Sequence, residues 1–377
     1  MNEPSLCATF PMPDKKICVT KKSRRLCLRL FYFSQNSCSF ALHITFPMNT
    51  KLNIAIMAGG NSSEANISMR SATQIAGWLD PQRFNAYKIL VKGNTWTLEH
   101  PEKGSLPVDK NDFTVNVDGQ KLTFHCALIA IHGTPGENGL LQAYFEMLQI
   151  PYTTGGVMNA AVTFNKYYCK ELVRDTGVHL AKGLLLRRGQ TINQQEILST
   201  LGLPIFVKPN ESGSSYGVSK VKQVAELLPA IEKAFAEDKT IILEEFIPGR
   251  EFTCGVFKYS HNQMILPVTE IVPETEFFDY EAKYLSKSKE VTPAPISESL
   301  TKAIQEFTSK IYDRLQCHGV VRVDYIVNND KIYFLEINTV PGMSEASIIP
   351  QQVRAKGGNM REFFTLIIDD AMQRSTL

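Results

Sequence analysis

The sequence predicts an α/β unit followed by α+β units, and three observations predict it. Two short apolar runs, residues 53–58 and 127–131, each end in a glycine-rich turn and give way to a helical pattern. A middle segment alternates strands and helices around a glycine-serine loop. Near the C-terminus, residues 320–327 and 332–338 form two apolar runs on either side of a polar break, each with polar residues two positions apart.

The first run (Asn-Ile-Ala-Ile-Met-Ala) is nearly all apolar, as expected of a buried parallel strand, and stops at Gly59-Gly60. Asn61, Ser62 and Ser63 are expected to cap a helix that carries Glu64 in its first turn and continues through Ser68, Ala72 and Ile75. The second run leads into His132-Gly133-Thr134-Pro135-Gly136-Glu137-Asn138-Gly139 and a helix from about Leu140. Repetition of strand, glycine turn and helix defines an N-terminal α/β domain over 48–150, with ligands at the carboxyl ends of its strands. After a linker at 151–156, helical segments hold Lys166 and Lys170. Residues 204–209 and 217–221 read as strands, 223–237 as a helix and 240–244 as a strand, which closes a central unit at 151–244. The C-terminal unit, 245–377, holds further strands, a polar segment at 276–292, a helix at 298–316 and the final hairpin.

The chain has 377 residues and a formal net charge of +2, unevenly placed. Before Met48 seven Lys or Arg face only Glu3 and Asp14, which leaves the remainder near −3. A mildly acidic body offers no electrostatic reason to bind nucleic acid. No run of about 18 apolar residues marks a membrane span. Cys7, Cys18, Cys27 and Cys38 lie in the same leader, without a Cys-x-x-Cys pair or a histidine cluster. Cys126, Cys169, Cys254 and Cys317 read as buried, reduced thiols of a cytosolic protein. Residues 26–33 are interrupted by Arg29 and lack a small-residue cleavage site, so they make a poor secretory signal. Residues 1–47 show neither period, and Met48 directly precedes the first strand. They are expected to be a non-native extension from an over-extended start, or a disordered basic tail.

The hairpin carries the strongest chemical signal. Arg322 and Asp324 share one face of the first strand, and Glu336 and Asn338 share one face of the second. With Asn329, Asp330 and Lys331 as the loop, Asp324 falls opposite Glu336 and Arg322 opposite Asn338, about 5 Å apart. Carboxylates so placed repel unless a cation compensates, and Mg²⁺ takes one or two carboxylates with substrate phosphate and water. The plainer reading is an amphipathic hairpin with a solvated charged face. Other segments are individually ambiguous. Residues 210–217 (Asn-Glu-Ser-Gly-Ser-Ser-Tyr-Gly) suit phosphate oxygens or an ordinary turn, and Lys208 at the strand end beside them favours phosphate. Glu244 and Glu245 lead into Ile247 and Glu251, a strand and turn able to meet an adenine edge and ribose hydroxyls. Lys283 and Tyr284 sit in a polar stretch that reads as an active-site lid or a solvated loop. His132 is also consistent with a satisfied structural histidine, and Glu64 with an acid favoured by the helix dipole.

Taken together, these segments resemble the D-alanine–D-alanine ligase family of the ATP-grasp superfamily. The pieces that carry the resemblance are Gly59-Gly60-Asn61-Ser62-Ser63-Glu64 with Ser68, His132-Gly133 through Gly136-Glu137-Asn138-Gly139, and Lys208-Pro209 with Gly213-Ser214-Ser215. Residues 279–285, Arg322-Val323-Asp324, and Glu336-Ile337-Asn338 with Pro341-Gly342-Met343 complete it, over about residues 51–370. The resemblance implies an ATP-grasp architecture: an N-terminal Rossmann-like domain, then central and C-terminal α+β domains that clamp ATP.

It also implies roles. Lys166 and Lys208 would meet the ATP phosphates, with Ser214 and Ser215 beside them. Glu244, Glu245, Ile247 and Glu251 would surround adenine and ribose, and Lys283 would approach the γ-phosphate. Asp324, Glu336 and Asn338 would hold two Mg²⁺ (or Mn²⁺), Glu336 bridging them. Glu64 would take the ammonium of the first D-alanine, with Ser214 and Tyr284 closing the lid, and His132 would also bind substrate. Arg322 and the Gly342 amide would form the oxyanion site, and Ser347 would hold the second carboxylate. The implied reaction joins two D-alanines through a D-alanyl phosphate, for peptidoglycan precursors, in a cytoplasmic homodimer with no nucleic-acid or membrane partner. Asn66, Tyr216 and Tyr325 depart from the family pattern, with expected effects on affinity and lid behaviour. The alternatives are a D-alanine–D-lactate ligase, against which Tyr284 argues, another ATP-grasp carboxylate–amine ligase, and a nucleotide-binding regulator without turnover.

Overall fold

In the computed structural model, which describes residues 51–213, 216–273 and 288–374, the order of elements follows from where apolar runs can be buried. The expectations for residues 1–47, for Ser214 and Ser215, and for Lys283 and Tyr284 lie outside the described residues. The chain enters β1 (Leu52–Gly59), α1 (Ala65–Trp78) and β2 (Phe84–Lys92), then β3 (Thr95–His100), β4 (Gly104–Asp109), β5 (Thr114–Val117), β6 (Gln120–Leu122), β7 (Cys126–Ile129) and α2 (Leu140–Met147). These strands form a sheet in the order β6-β5-β4-β3-β2-β1-β7, parallel at β2-β1-β7 and antiparallel beyond. Strand alternation sends Ile54, Ile56 and Ala58 into one core, with α1, and Ala55 and Met57 into another, with α2. Both faces of β1 are thereby buried, which accounts for its unbroken apolar run.

Helices α3 (Val157–Phe164) and α4 (Lys166–Val173) lead to the short β8 (His179–Leu180). A four-stranded antiparallel sheet follows, from β9 (Gly183–Arg187), β10 (Ile205–Pro209), β11 (Ser219–Val221) and β12 (Thr240–Glu245), ordered β11-β10-β12-β9. Helices α5 (Gln194–Leu201) and α6 (Leu227–Glu237) share its core through Ile197, Leu201, Leu227 and Ile231.

The last sheet gathers β13 (Arg250–Tyr259), β14 (Asn262–Ile265), β15 (Thr269–Pro273), β16 (Ser288–Val291), β17 (Val320–Asn328) and β18 (Lys331–Asn338), with α7 (Glu298–Arg314) packed against it. Its order is β16-β15-β13-β17-β18-β8, with β14 on β13. Helices α8 (Ile348–Ala355) and α9 (Met360–Arg374) end the described chain, and Phe363, Phe364 and Ile367 of α9 join the first core with Ile54 and Ile75. The C-terminal helix thus closes the N-terminal sheet. Cys126, Cys169, Cys254 and Cys317 are free and buried. Tyr325, expected to influence affinity, instead points into the core, fully buried, its hydroxyl 2.9 Å from Thr308 Oγ1.

Candidate active site

The N-terminal wall of the site is built by two βα turns tied together. Ser68 Oγ accepts from Gly59 N at 2.9 Å and donates to the Ala130 carbonyl at 2.7 Å, so one buried hydroxyl joins the ends of β1 and β7. The expected capping role of Asn61 and Ser62 is not what they do. Asn61 Oδ1 accepts from Gly93 N, and Ser62 Oγ donates to the His132 carbonyl and accepts from Glu64 N. Glu64 is itself the residue before the first helical turn and makes no side-chain cap. Its carboxylate is thereby turned toward the cleft. Gly213 lies so close that a Cβ there would stand 2.4 Å from Glu64 Oε2. At Gly133, whose φ is +68, a Cβ would meet Ser62 Oγ at 3.0 Å and Glu64 Oε2 at 3.7 Å.

The opposite wall is the β17–β18 hairpin. Asp324 pairs with Glu336 and Arg322 with Asn338, the expected register, but by a different route. Asn328 pairs with Lys331, so the turn has two residues, Asn329 and Asp330, both at positive φ. A two-residue turn alone would bring Leu335 opposite Asp324. The ladder shifts between Asp324 and Tyr325, so one extra residue is taken up on β18. Ile332, Phe334 and Ile337 face the core, whereas Leu335 and Glu336 both face the cleft. Strict alternation from Phe334 would have buried Glu336 in the apolar core.

Asp324 is the most heavily engaged group on this face. Arg322 reaches it with Nε and Nη2, both at 2.9 Å, Asn338 Nδ2 donates at 3.0 Å, and the buried Thr253 hydroxyl donates to Oδ1. Burial acts to lower the Arg322 guanidinium, but the Asp324 carboxylate overrides it and raises the group further. Glu336 stands 3.8 Å from Lys166 Nζ. Among the described residues no three His, Cys, Asp or Glu cluster as a metal site. The oxygen set is two carboxylates and one carboxamide on adjacent strands. That donor chemistry fits a hard divalent ion that completes its shell with phosphate and water.

These walls enclose a cleft of about 350 Å³ lined by Glu64, His132, Arg322, Glu336, Gly342 and Ser347, among others. Ser347 precedes α8, and its hydroxyl accepts from Ser344 N at 2.9 Å. The buried Gln352 fixes this helix by accepting from Gly255 N and donating to the Thr253 carbonyl and Thr269 Oγ1. A second cavity of about 180 Å³ lies against the four-stranded sheet, lined by Lys208, Glu244, Glu245, Ile247 and Glu251. Lys166, Gly213, Glu251 and Glu336 line both, so the cavities adjoin there.

Two family models match the chain, D-ala D-ala ligase N-terminus over residues 53–155 and D-ala D-ala ligase C-terminus over 172–369. The D-alanine–D-alanine ligase of Bacteroides fragilis strain YCH46 is 46% identical over 321 residues, 85% of this chain and 99% of that protein. The chain belongs to the D-alanine–D-alanine ligase family. Solved ligases share its fold. The VanG D-Ala:D-Ser ligase from Enterococcus faecalis matches with a TM-score of 0.77 at 29% identity, covering 85% of this chain and 100% of that one. The D-alanine–D-alanine ligase from Coxiella burnetii matches with a TM-score of 0.77 at 26% identity, covering 86% and 95%. The ATP-grasp architecture expected of the family corresponds to the three sheets described above.

In this ligase fold the inner end of the second cavity carries a charge cluster that the sequence did not announce. Lys170 and Lys208 both reach the buried Glu244 carboxylate. Burial alone would raise the Glu244 carboxyl, but Lys208 and Lys170 hold it at about 2. The folded group titrates below the ordinary 4.5, so its stabilisation is full above that value and is lost as pH falls from about 4.5 towards about 2. Glu244→Gln leaves two buried ammonium groups facing each other and is expected to cost about 3–5 kcal/mol at neutral pH. Denaturant unfolding at pH 7 and pH 3.5 measures it, and the gap between wild type and variant is expected to narrow at the lower pH. Lys170, Thr253, Ser71 and Glu137 are groups at the site whose part sequence reasoning missed. Lys170 was named as a helical residue only and Glu137 only within the turn at 132–139, and Thr253 and Ser71 carried no spacing signal of their own.

Proposed function

We propose a division of labour among these residues for one reaction, the ATP-dependent ligation of two D-alanine molecules. The chain catalyses that ligation and releases ADP and phosphate. A carboxylate is a poor electrophile, so a carboxylate oxygen of the first D-alanine takes the γ-phosphoryl group and ADP departs. The amine of the second D-alanine then attacks the acyl carbon, and the acyl–oxygen bond to phosphate breaks. Positioning and charge neutralisation dominate the first half.

Glu64 takes the first ammonium, in a pocket narrowed by Gly133 and Gly213. Lys166 and Lys208 face the phosphates, and Glu245, Ile247 and Glu251 the nucleoside. Glu244 holds Lys208 in place. Arg322 and the Gly342 amide stabilise the tetrahedral oxyanion, and Ser347 at the head of α8 takes the second carboxylate. Asp324, Glu336 and Asn338 hold two Mg²⁺ (or Mn²⁺), which when bound neutralise the charge gathered on the transferring phosphoryl group. The roles proposed for Ser214, Ser215, Lys283 and Tyr284 fall outside the described residues. We further propose a cytoplasmic homodimer that supplies peptidoglycan precursors. No helix among the described residues is long and apolar enough to cross a membrane, and the exposed Leu140 and Met147, seven apart on α2, offer an apolar face to a second copy.

The observation that carries this reading is that Glu64 and the Arg322–Asp324–Glu336–Asn338 face line one cleft, within the size range of about 300–1,000 Å³ usual for small-molecule sites, adjoining the Lys208 cavity. Phosphate release from ATP with D-alanine, L-alanine, or D-alanine plus D-lactate tests it. Release is expected with D-alanine, none with L-alanine, and no gain from D-lactate. Absence of D-alanine-dependent release overturns the reading, and strong stimulation by D-lactate with a depsipeptide product moves it to the ester-forming alternative.

A further inference from the structure

The segment Val340–Pro341–Gly342–Met343 leaves β18 and carries the Gly342 amide, and it is gripped at three backbone atoms by side chains of α1 and of the turn between β7 and α2. Val340 N donates to Glu137 Oε1 at 3.2 Å, across 203 residues of sequence. The Val340 carbonyl lies 2.8 Å from His132 Nδ1. Met343 N donates to Ser71 Oγ at 3.2 Å, across 272 residues. Ser71 Oγ is in turn 3.4 Å from His132 Nε2.

The proton count closes in one way. A carbonyl can only accept, so His132 Nδ1 carries the hydrogen. Burial holds His132 in its neutral form, so Nε2 accepts from the Ser71 hydroxyl, which leaves the Ser71 oxygen to accept from Met343 N. Glu137 completes the grip with its second oxygen, which accepts from Gly133 N at 2.7 Å, in the turn that flanks Glu64. His132, Ser71, Val340 and Met343 are all buried, so these bonds are sheltered from water.

We infer that Ser71, His132 and Glu137 are positioning residues that set the Gly342 amide for the second half of the reaction, the attack of the amine on the acyl phosphate. The inference rests on the ligation reading above and assigns His132 to the backbone, not to direct contact with substrate. Both sides of Gly342 are pinned by groups from α1 and from the turn between β7 and α2, so the oxyanion donor and the Glu64 pocket are held by one network. Displacing a catalytic donor by a fraction of its contact distance costs up to about 10²-fold in rate.

The test uses the full chain with Glu137→Gln, Glu137→Asp and Ser71→Ala. A glutamine offers one acceptor where two N–H groups, those of Gly133 and Val340, require two; an aspartate keeps both. Reversible acyl phosphate formation is followed by positional isotope exchange in ATP labelled at the β,γ-bridge, and ligation by dipeptide yield. Glu137→Gln and Ser71→Ala are expected to lower ligation by about 10²-fold while exchange stays near that of wild type, with Glu137→Asp recovering most of the loss. Equal loss of exchange and ligation, or unchanged ligation, overturns the inference. Absence of D-alanine-dependent exchange in the wild type overturns the ligation reading itself.

Discussion

Glu336→Gln is expected to lower ligation turnover by about 10³-fold while shifting the melting temperature by no more than about 2 °C. The two halves of this expectation have separate causes. The Glu336 side chain is 30% exposed and a glutamine keeps its shape, so the variant is expected to fold as the wild type does. Glu336 stands opposite Asp324 on the wall shared by both cavities, where the reading proposed above puts the neutralisation of phosphoryl charge. A glutamine fills the same volume without the charge. Steady-state phosphate release and differential scanning calorimetry measure the two halves, and near-normal turnover would count against the metal assignment.

Arg322→Met is expected to be damaging in both respects. The guanidinium and the Asp324 carboxylate are 15% and 7% exposed, joined by two hydrogen bonds of 2.9 Å. Removing the arginine leaves a buried carboxylate with only Thr253 and Asn338 as the donors described, a change worth about 3–5 kcal/mol of stability. Turnover should fall by about 10²–10³-fold from loss of the oxyanion donor, before any effect on Asp324 is counted. The double variant Arg322→Met, Asp324→Asn separates the contributions. It removes the uncompensated charge, so much of the lost stability should return, measured by denaturant unfolding, while turnover stays low. Turnover that returned with stability would count against both the oxyanion role of Arg322 and the metal role of Asp324.

The pairing of Arg322 with Asp324 bears on how the site is assembled. Sequence spacing placed both on one face of β17, and the structure adds that each occupies the other. The Asp324 oxygens accept from Arg322, Asn338 and Thr253, so on the metal assignment proposed above a cation would compete with the guanidinium for that carboxylate.

Much of this site was legible in the chain, and the failures are informative. The Asp324–Glu336 register was read correctly from a three-residue loop, but the protein reaches it with a two-residue turn and a bulge. The signal was present. Ile332, Phe334 and Ile337 are spaced two and then three apart, and only a bulge can put all three in the core. Strands β3 to β6 went unread because they are short, half-exposed and antiparallel, with Gly104 and Pro107 inside β4, and β2, though longer and parallel to β1, does not alternate in burial. The serine run after Gly60 looked like a cap because capping chemistry and loop-tethering chemistry use the same hydroxyl. Its partner, the His132 carbonyl, is 70 residues away. Glu137 and Ser71 escaped for the same reason, since their contacts with Val340 and Met343 exist only after the C-terminal segment has docked on the first sheet. Tyr325 was placed beside the site by its position in sequence, but strand alternation turns it into the core.

The central claim is that a bulged hairpin brings Asp324, Glu336 and Asn338 to one face to hold metal and nucleotide diphosphate. Crystals of the protein grown with ADP and Mn²⁺, examined by anomalous scattering at the manganese edge, test it most directly. The account predicts manganese within about 2.2 Å of a Glu336 carboxylate oxygen and of the diphosphate. Manganese bound elsewhere, with the Glu336 carboxylate turned away from the nucleotide, would contradict it.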